Sequence, residues 1–162
     1  MTMRAVCREA QLSQRFFYES FTDTDDLLRE VYRATFFRTR AVIDAAIVDA
    51  TDRTSKIRAG VDAAARVVRE DPRVCRILLV EPVADRDLRQ FVRDTIVAMI
   101  WTGAGTHVDD STPAKMRYAT AFGAIISLFL EWTEGNLGDD RAAFVEHVTA
   151  LITALPSSRP MR

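Results

Sequence analysis

The side chains best suited to chemistry are few and scattered. His107 falls in a glycine-containing stretch and His147 in a helical one, with no spacing to other donors that suits a metal. Cys7 and Cys75 are too few and too far apart for a disulfide framework or a zinc motif. No Ser, Cys or Asp stands beside either histidine in a nucleophilic arrangement. Gly103-Ala104-Gly105 has no strand before it that would make a phosphate-cradling loop. The sequence therefore argues against an enzyme and implies no cofactor. What remains is recognition chemistry. Two very short helical stretches at the front, joined by about three residues, suggest a helix-turn-helix, whose second helix enters a DNA major groove.

Charge and hydropathy bound the partners. The 162 residues carry 22 basic and 23 acidic side chains, so any contact with nucleic acid must come from a local patch. Only Lys56 and Lys115 among the basic residues are lysine. With 48% apolar residues the chain can bury a sizeable core. Its longest uncharged run, Tyr118 to Leu130, falls short of the roughly 20 residues that span a bilayer. No signal peptide opens the sequence and the cysteines fit a reducing compartment, so the expectation is a soluble, cytoplasmic protein without a membrane partner.

The elements that must position the front pair are helical throughout, because no alternating run is long enough for a sheet. Met3, Val6, Cys7 and Ala10 mark a helix over about 2–10, with Thr2 as its N-cap. A second runs over about 14–21 with Ser13 able to cap it. Thr22, with Asp25 three residues on, has the capping-box spacing for a long third helix reaching towards Ala50. Ile57, Val61, Ala64, Ala65 and Val68 mark the next helix. Asp71-Pro72 caps a short one through Leu79, which Pro82 ends. Leu88, Val92, Ile96 and Met99 give a helix over about 85–101. The stretch 113–134 is apolar almost all round in its second half and needs burial on more than one side. Gly135-Asn136 stops it, and a last helix covers about 139–155.

The run Thr2 to Phe21, followed by Leu27-Leu28, resembles the DNA-binding signature of the tetracycline-repressor (TetR) family of transcriptional regulators. The matching places are Thr2, Ala10, Ser13, the aromatic pair Phe17-Tyr18, Phe21 and Leu27. Three departures stand out. Gln11 occupies the turn position where the family usually has Gly, so the turn is expected to be somewhat altered. Thr24 replaces a common phosphate-reaching Lys, which should weaken non-specific affinity rather than sequence choice. The family's first helix has no counterpart, which points to a missing upstream segment.

The resemblance implies an all-α protein: a partial helix-turn-helix domain over 1–30, then a ligand-binding and dimerisation domain over 31–162. Gln14, Arg15 and Phe16 would sit where base edges are reached, with Arg15 suited to guanine and Gln14 to adenine. Thr2 and Tyr18 would touch phosphates, Ser13 would close the turn, and Phe17 and Phe21 would be core. The last two helices would pair with their copies as a four-helix bundle through Leu128, Trp132, Phe144, Val148, Leu151 and Ile152. An effector pocket would lie among the helices that start near Thr54, Asp85 and Pro113, lined by Phe91, Met99, Trp101, Phe122 and Phe129. Glu81 and Glu131 are polar groups beside apolar runs that could orient a ligand, though surface exposure is the plainer reading. The expected partners are an operator DNA duplex, a small-molecule effector and a second copy of the chain. The alternative is a dimeric small-molecule-binding protein of the same fold that has lost DNA binding.

Overall fold

A computed structural model describes residues 2–83, 88–92 and 111–154, and all regular structure among them is helical. Two seven-residue helices lead, α1 (Met3–Glu9) and α2 (Gln14–Ser20), followed by the 24-residue α3 (Thr24–Ile47) and the 18-residue α4 (Arg53–Glu70). A short α5 (Pro72–Cys75) runs into a π-helical turn (Arg76–Val80) and a 3₁₀ turn (Glu81–Val83). Residues 88–92 are helical (α6). The chain ends in α7 (Thr112–Thr133) and α8 (Arg141–Ala154). The ends of the helix expected over 85–101, and the last residue of the one expected over 139–155, fall outside the described residues.

Local chemistry explains where the helices start. Thr2, Asp52 and Ser111 each accept a backbone N–H from the first turn of the helix that follows. Asp140 does the same for α8 by accepting from Ala143 N–H at 3.1 Å. At α3 the expected box is displaced by one residue. Asp23, not Thr22, is the N-cap, accepting from Asp25 and Asp26 N–H at 2.9 and 2.7 Å. Asp26 accepts from Thr22 N–H at 3.0 Å, so its carboxylate reaches past the cap to the residue before it, where a capping box would return to the cap's own N–H. A carboxylate at Asp23 outcompetes the Thr22 hydroxyl for two N–H donors at the positive end of the helix.

Pro82 does not stop the fifth helix as a simple break. The helix widens to i→i+5 pairing over Arg76–Val80, and the proline lies buried inside the 3₁₀ turn. A wide turn ahead of the ring accommodates a residue that has no N–H to donate.

The body is held by two apolar clusters. The larger joins α4 (Ile57, Val61, Ala65, Val68), α5 (Val74, Cys75), α7 (Phe129, Trp132) and α8 (Phe144, Val145, Val148, Ile152). Trp132 stacks on Phe144 with centroids 4.4 Å apart, and the Arg69 guanidinium lies over the indole, 5.1 Å from its centroid. The smaller joins Tyr32 and Phe36 of α3 to Leu88 and Val92 of α6. Polar contacts fix α4 antiparallel to α8: Arg53 with the Thr153 carbonyl, Arg58 with Glu146, Arg141 with Asp62, and Arg69 with Asp139. No helix among the described residues is long and apolar enough to cross a membrane.

Candidate nucleic-acid interface and apolar cavity

The α1–α2 pair is tied by its turn. Leu12 N–H donates to the Cys7 carbonyl at 2.9 Å and Gln11 N–H to the Arg8 carbonyl at 3.3 Å, the paired bonds of a Schellman C-cap. Such a cap requires a left-handed residue after the last helical one. Gln11 supplies it with φ of +55°. The expectation of an altered turn is thus corrected: the geometry a glycine would adopt is kept, and a residue with a Cβ bears the strain. The same motif closes α7, where Gly135 takes φ of +84° without that cost.

Alternation of burial along α2 decides what this helix can offer. Phe17 is 5% exposed and packs edge-on to Tyr18 and tilted against the partly buried Phe21. Around it Gln14 and Arg15 face solvent, Phe16 is 59% exposed and Tyr18 is 60% exposed. Two large aromatic rings bared on one short helix are more than burial statistics lead one to expect. Ser13 holds the N-cap position in extended backbone, but its hydroxyl makes no capping bond, contrary to the sequence expectation. Thr2 accepts from the Ala5 N–H at 3.4 Å, which leaves its O–H able to donate. Arg15 donates through Nε to Glu19 at 2.9 Å, an exposed i,i+4 pair that the sequence reading did not weigh. Buried Cys7 and Phe17 belong to neither apolar cluster of the body.

A second feature lies between the helices of the body, partly open to solvent. A cavity of about 200 Å³ is walled by α3 (Phe36, Thr39, Ile43), α4 (Ile57, Gly60, Ala64), the π turn (Leu78, Leu79), α7 (Phe122, Phe129) and α8. Of the expected lining, Phe122 and Phe129 are there. Phe91 is not part of the wall but packs on Tyr32 and Phe36 at 5.9 and 5.6 Å. Met99 and Trp101 lie outside the described residues. The α3 wall was missed, although Phe36, Thr39, Arg40, Ile43 and Ile47 keep one helical face and could have been read as such. Neither Glu81 nor Glu131 borders the cavity: Glu81 pairs with Arg76, and exposed Glu131 accepts from Asn136.

Among the described residues the lining is apolar save for Thr39, Arg40, Asp44, Lys56 and Cys75. Arg40 Nε lies 2.7 Å from both Asp44 carboxylate oxygens. The Thr39 hydroxyl is buried with no hydrogen-bond partner among the described residues. Burial pushes the Cys75 thiol up from its ordinary pKa, despite a Thr133 hydroxyl 3.7 Å from the sulfur. Burial likewise raises the Tyr32 phenol, whose oxygen has no partner among the described residues.

The proposed dimer residues divide. Trp132, Phe144, Val148 and Ile152 are between 0% and 7% exposed and lie in the chain's own larger cluster, so they are not offered to a second copy. Leu128 and Leu151 are partly buried. Apolar residues all round a helix say that two sides are covered but not which side the chain covers itself. Among the described residues no group of three or more His, Cys, Asp or Glu could hold a metal ion. No family model matches the sequence, and no curated protein is detectably similar to it.

Proposed function

We propose that the chain is a ligand-responsive transcriptional regulator of the TetR type, acting as a repressor. It binds a near-palindromic operator as a dimer and is released by a small molecule. The observation that carries this reading is α2 itself. Phe17 anchors the helix, while Gln14, Arg15, Phe16 and Tyr18 stay exposed and the α1–α2 pair stands outside both core clusters of the body. A helix held by one buried ring with its other faces open suits insertion into a groove about 12 Å wide. Arg15 serves a guanine edge once Glu19 releases it, and Gln14 serves adenine. Tyr18, Thr2 and the Ser13 hydroxyl serve phosphates.

The second copy docks on the outward faces of α7 and α8. Thr120, Gly123 and Ser127 are exposed on α7, and Ala143, His147 and Ala150 on α8; all but His147 are small enough for close approach. A Cβ built at Gly123 meets nothing within 4 Å, which leaves this face open. The apolar cavity holds the effector, whose differential affinity for two spacings of the α2 helices sets the extent of release.

One observation favours the second reading, a ligand-binding dimer that does not bind DNA. Over residues 2–20 three arginines face two glutamates, and one of those arginines is already paired. Titration of the dimer against the chain's own upstream intergenic DNA separates the two. The regulator reading expects a saturable shift that weakens steeply with salt and is lost in Arg15→Ala. Absence of any shift, with the chain alone or extended by its in-frame upstream codons, leaves only the second reading.

A further inference from the structure

Among the described residues the cavity's charges do not balance. Three of their ionic side chains border it, and Arg40 is neutralised by its two-point contact with Asp44. Lys56 is partly buried against the same apolar wall and has no ion-pair partner among the described residues. A cation half-withdrawn from water gains most from an anion brought by a ligand. Independently, Thr39 is 91% buried on the same wall and its hydroxyl lacks a partner among the described residues, so a polar ligand atom would satisfy it. Among the described residues, everything else on the wall is hydrocarbon or sulfur.

Size follows from volume. A protein cavity of about 150 Å³ accommodates the six carbons of benzene. By proportion, a cavity of about 200 Å³ encloses about eight heavy atoms.

We infer that the cavity takes a monoanionic amphiphile, with one carboxylate meeting Lys56 and an apolar body of about eight heavy atoms filling the space between α3, α4 and α7. This deepens the regulator reading, on which it rests only for the biological use of the ligand. Cationic amphiphiles are excluded by Lys56, and neutral ones forgo its charge.

Titration calorimetry on the full chain, with octanoate, octan-1-ol and octylamine below their aggregation concentrations, tests the assignment. Octanoate is expected to bind roughly tenfold or more tighter than octanol, as one charge-assisted hydrogen bond contributes. Octylamine is expected to give no heat of binding. Lys56→Met should bring octanoate down to the octanol level while leaving octanol unchanged, and Lys56→Arg should restore the preference. Thermal melting of each variant checks that the fold is intact. Equal affinity for octanoate and octanol, or an unchanged octanoate affinity in a folded Lys56→Met variant, overturns the inference. The readout needs no DNA, so the two readings fail separately. Octanoate binding without an operator shift upholds the ligand class and removes the regulator. An operator shift without octanoate binding does the reverse.

Discussion

Replacing Gln11 with glycine should stabilise the protein, although it removes a side chain and creates no contact. Gln11 sits at φ of +55° because the α1 cap demands it, with both bonds of the Schellman motif intact at 2.9 and 3.3 Å. A left-handed conformation costs a residue with a Cβ about 1–2 kcal/mol. Gln11 is exposed, so its side chain contributes little packing to lose. Glycine adds unfolded-state entropy worth about 0.4–1 kcal/mol in the opposite direction. The net gain is therefore about 0.5–1 kcal/mol, or roughly 1–4 °C in Tm for a domain of this size. Because the strain is local, the sharper assay is amide exchange at Leu12, whose N–H closes the cap on Cys7. Its protection should rise roughly two- to fivefold if α1 opens at the cap. The mirror experiment is Gly135→Ala, which places a methyl group in the same motif at φ of +84° and should destabilise by a similar amount. A neutral or destabilising Gln11→Gly would show that the turn relaxes away from the left-handed geometry in solution.

Three further outcomes follow from the packing and the caps. Trp132→Ala should cost about 3–5 kcal/mol in chemical denaturation, because it removes the ring that stacks on Phe144 and meets Arg69; a loss under 1 kcal/mol would mean that Trp132 lies at an interface rather than in the core. Gly60→Ala should gain up to about 1 kcal/mol from helix propensity, since its Cβ would rest 3.5 Å from Ile43 in ordinary contact. The same change should weaken octanoate binding by trimming the cavity wall, so stability and affinity must move in opposite directions. The Ser55 hydroxyl holds the Asp52 carboxyl below its usual range, and the Arg73 guanidinium does so for Asp71. A folded pKa below the unfolded value of 3.8 means that this stabilisation is complete well above pH 4 and drains as pH falls through the folded value. Asp52→Asn should accordingly flatten the acid limb of the stability curve below pH 4 while leaving the neutral and alkaline limbs parallel to the parent's.

Helices were legible wherever an apolar stripe and a cap coincided. Ile57, Val61, Ala65 and Val68 are all buried on α4, and Asp71-Pro72 opens α5 as its composition requires. Register at caps was less legible, since Thr22, Asp23 and Asp25 are all competent and the choice turns on which oxygen reaches two N–H groups. Burial direction on α7 and α8 was not legible. Trp132 and Val148 occupy helices with apolar residues on both sides, and only the packing of α4 shows which side turns inward. The cavity was half-seen. Phe122 and Phe129 were anticipated on α7, whereas Thr39 and Lys56 were invisible because a threonine and a lysine on amphipathic helices ordinarily mark the wet face.

At 1.5 Å per residue, the 24 residues of α3 form a rod about 36 Å long. Its first turn follows directly on α2, and its middle carries Phe36, Thr39 and Ile43 along the cavity wall. Such a rod is a lever arm. Pivoting it by about 5° about its far end, where Ile47 meets the turn into α4, swings its leading end by about 3 Å. On the regulator reading, a ligand that displaces the middle of this rod by about 1 Å or a little more would demand a rotation of that size, and the front of the chain would travel with it.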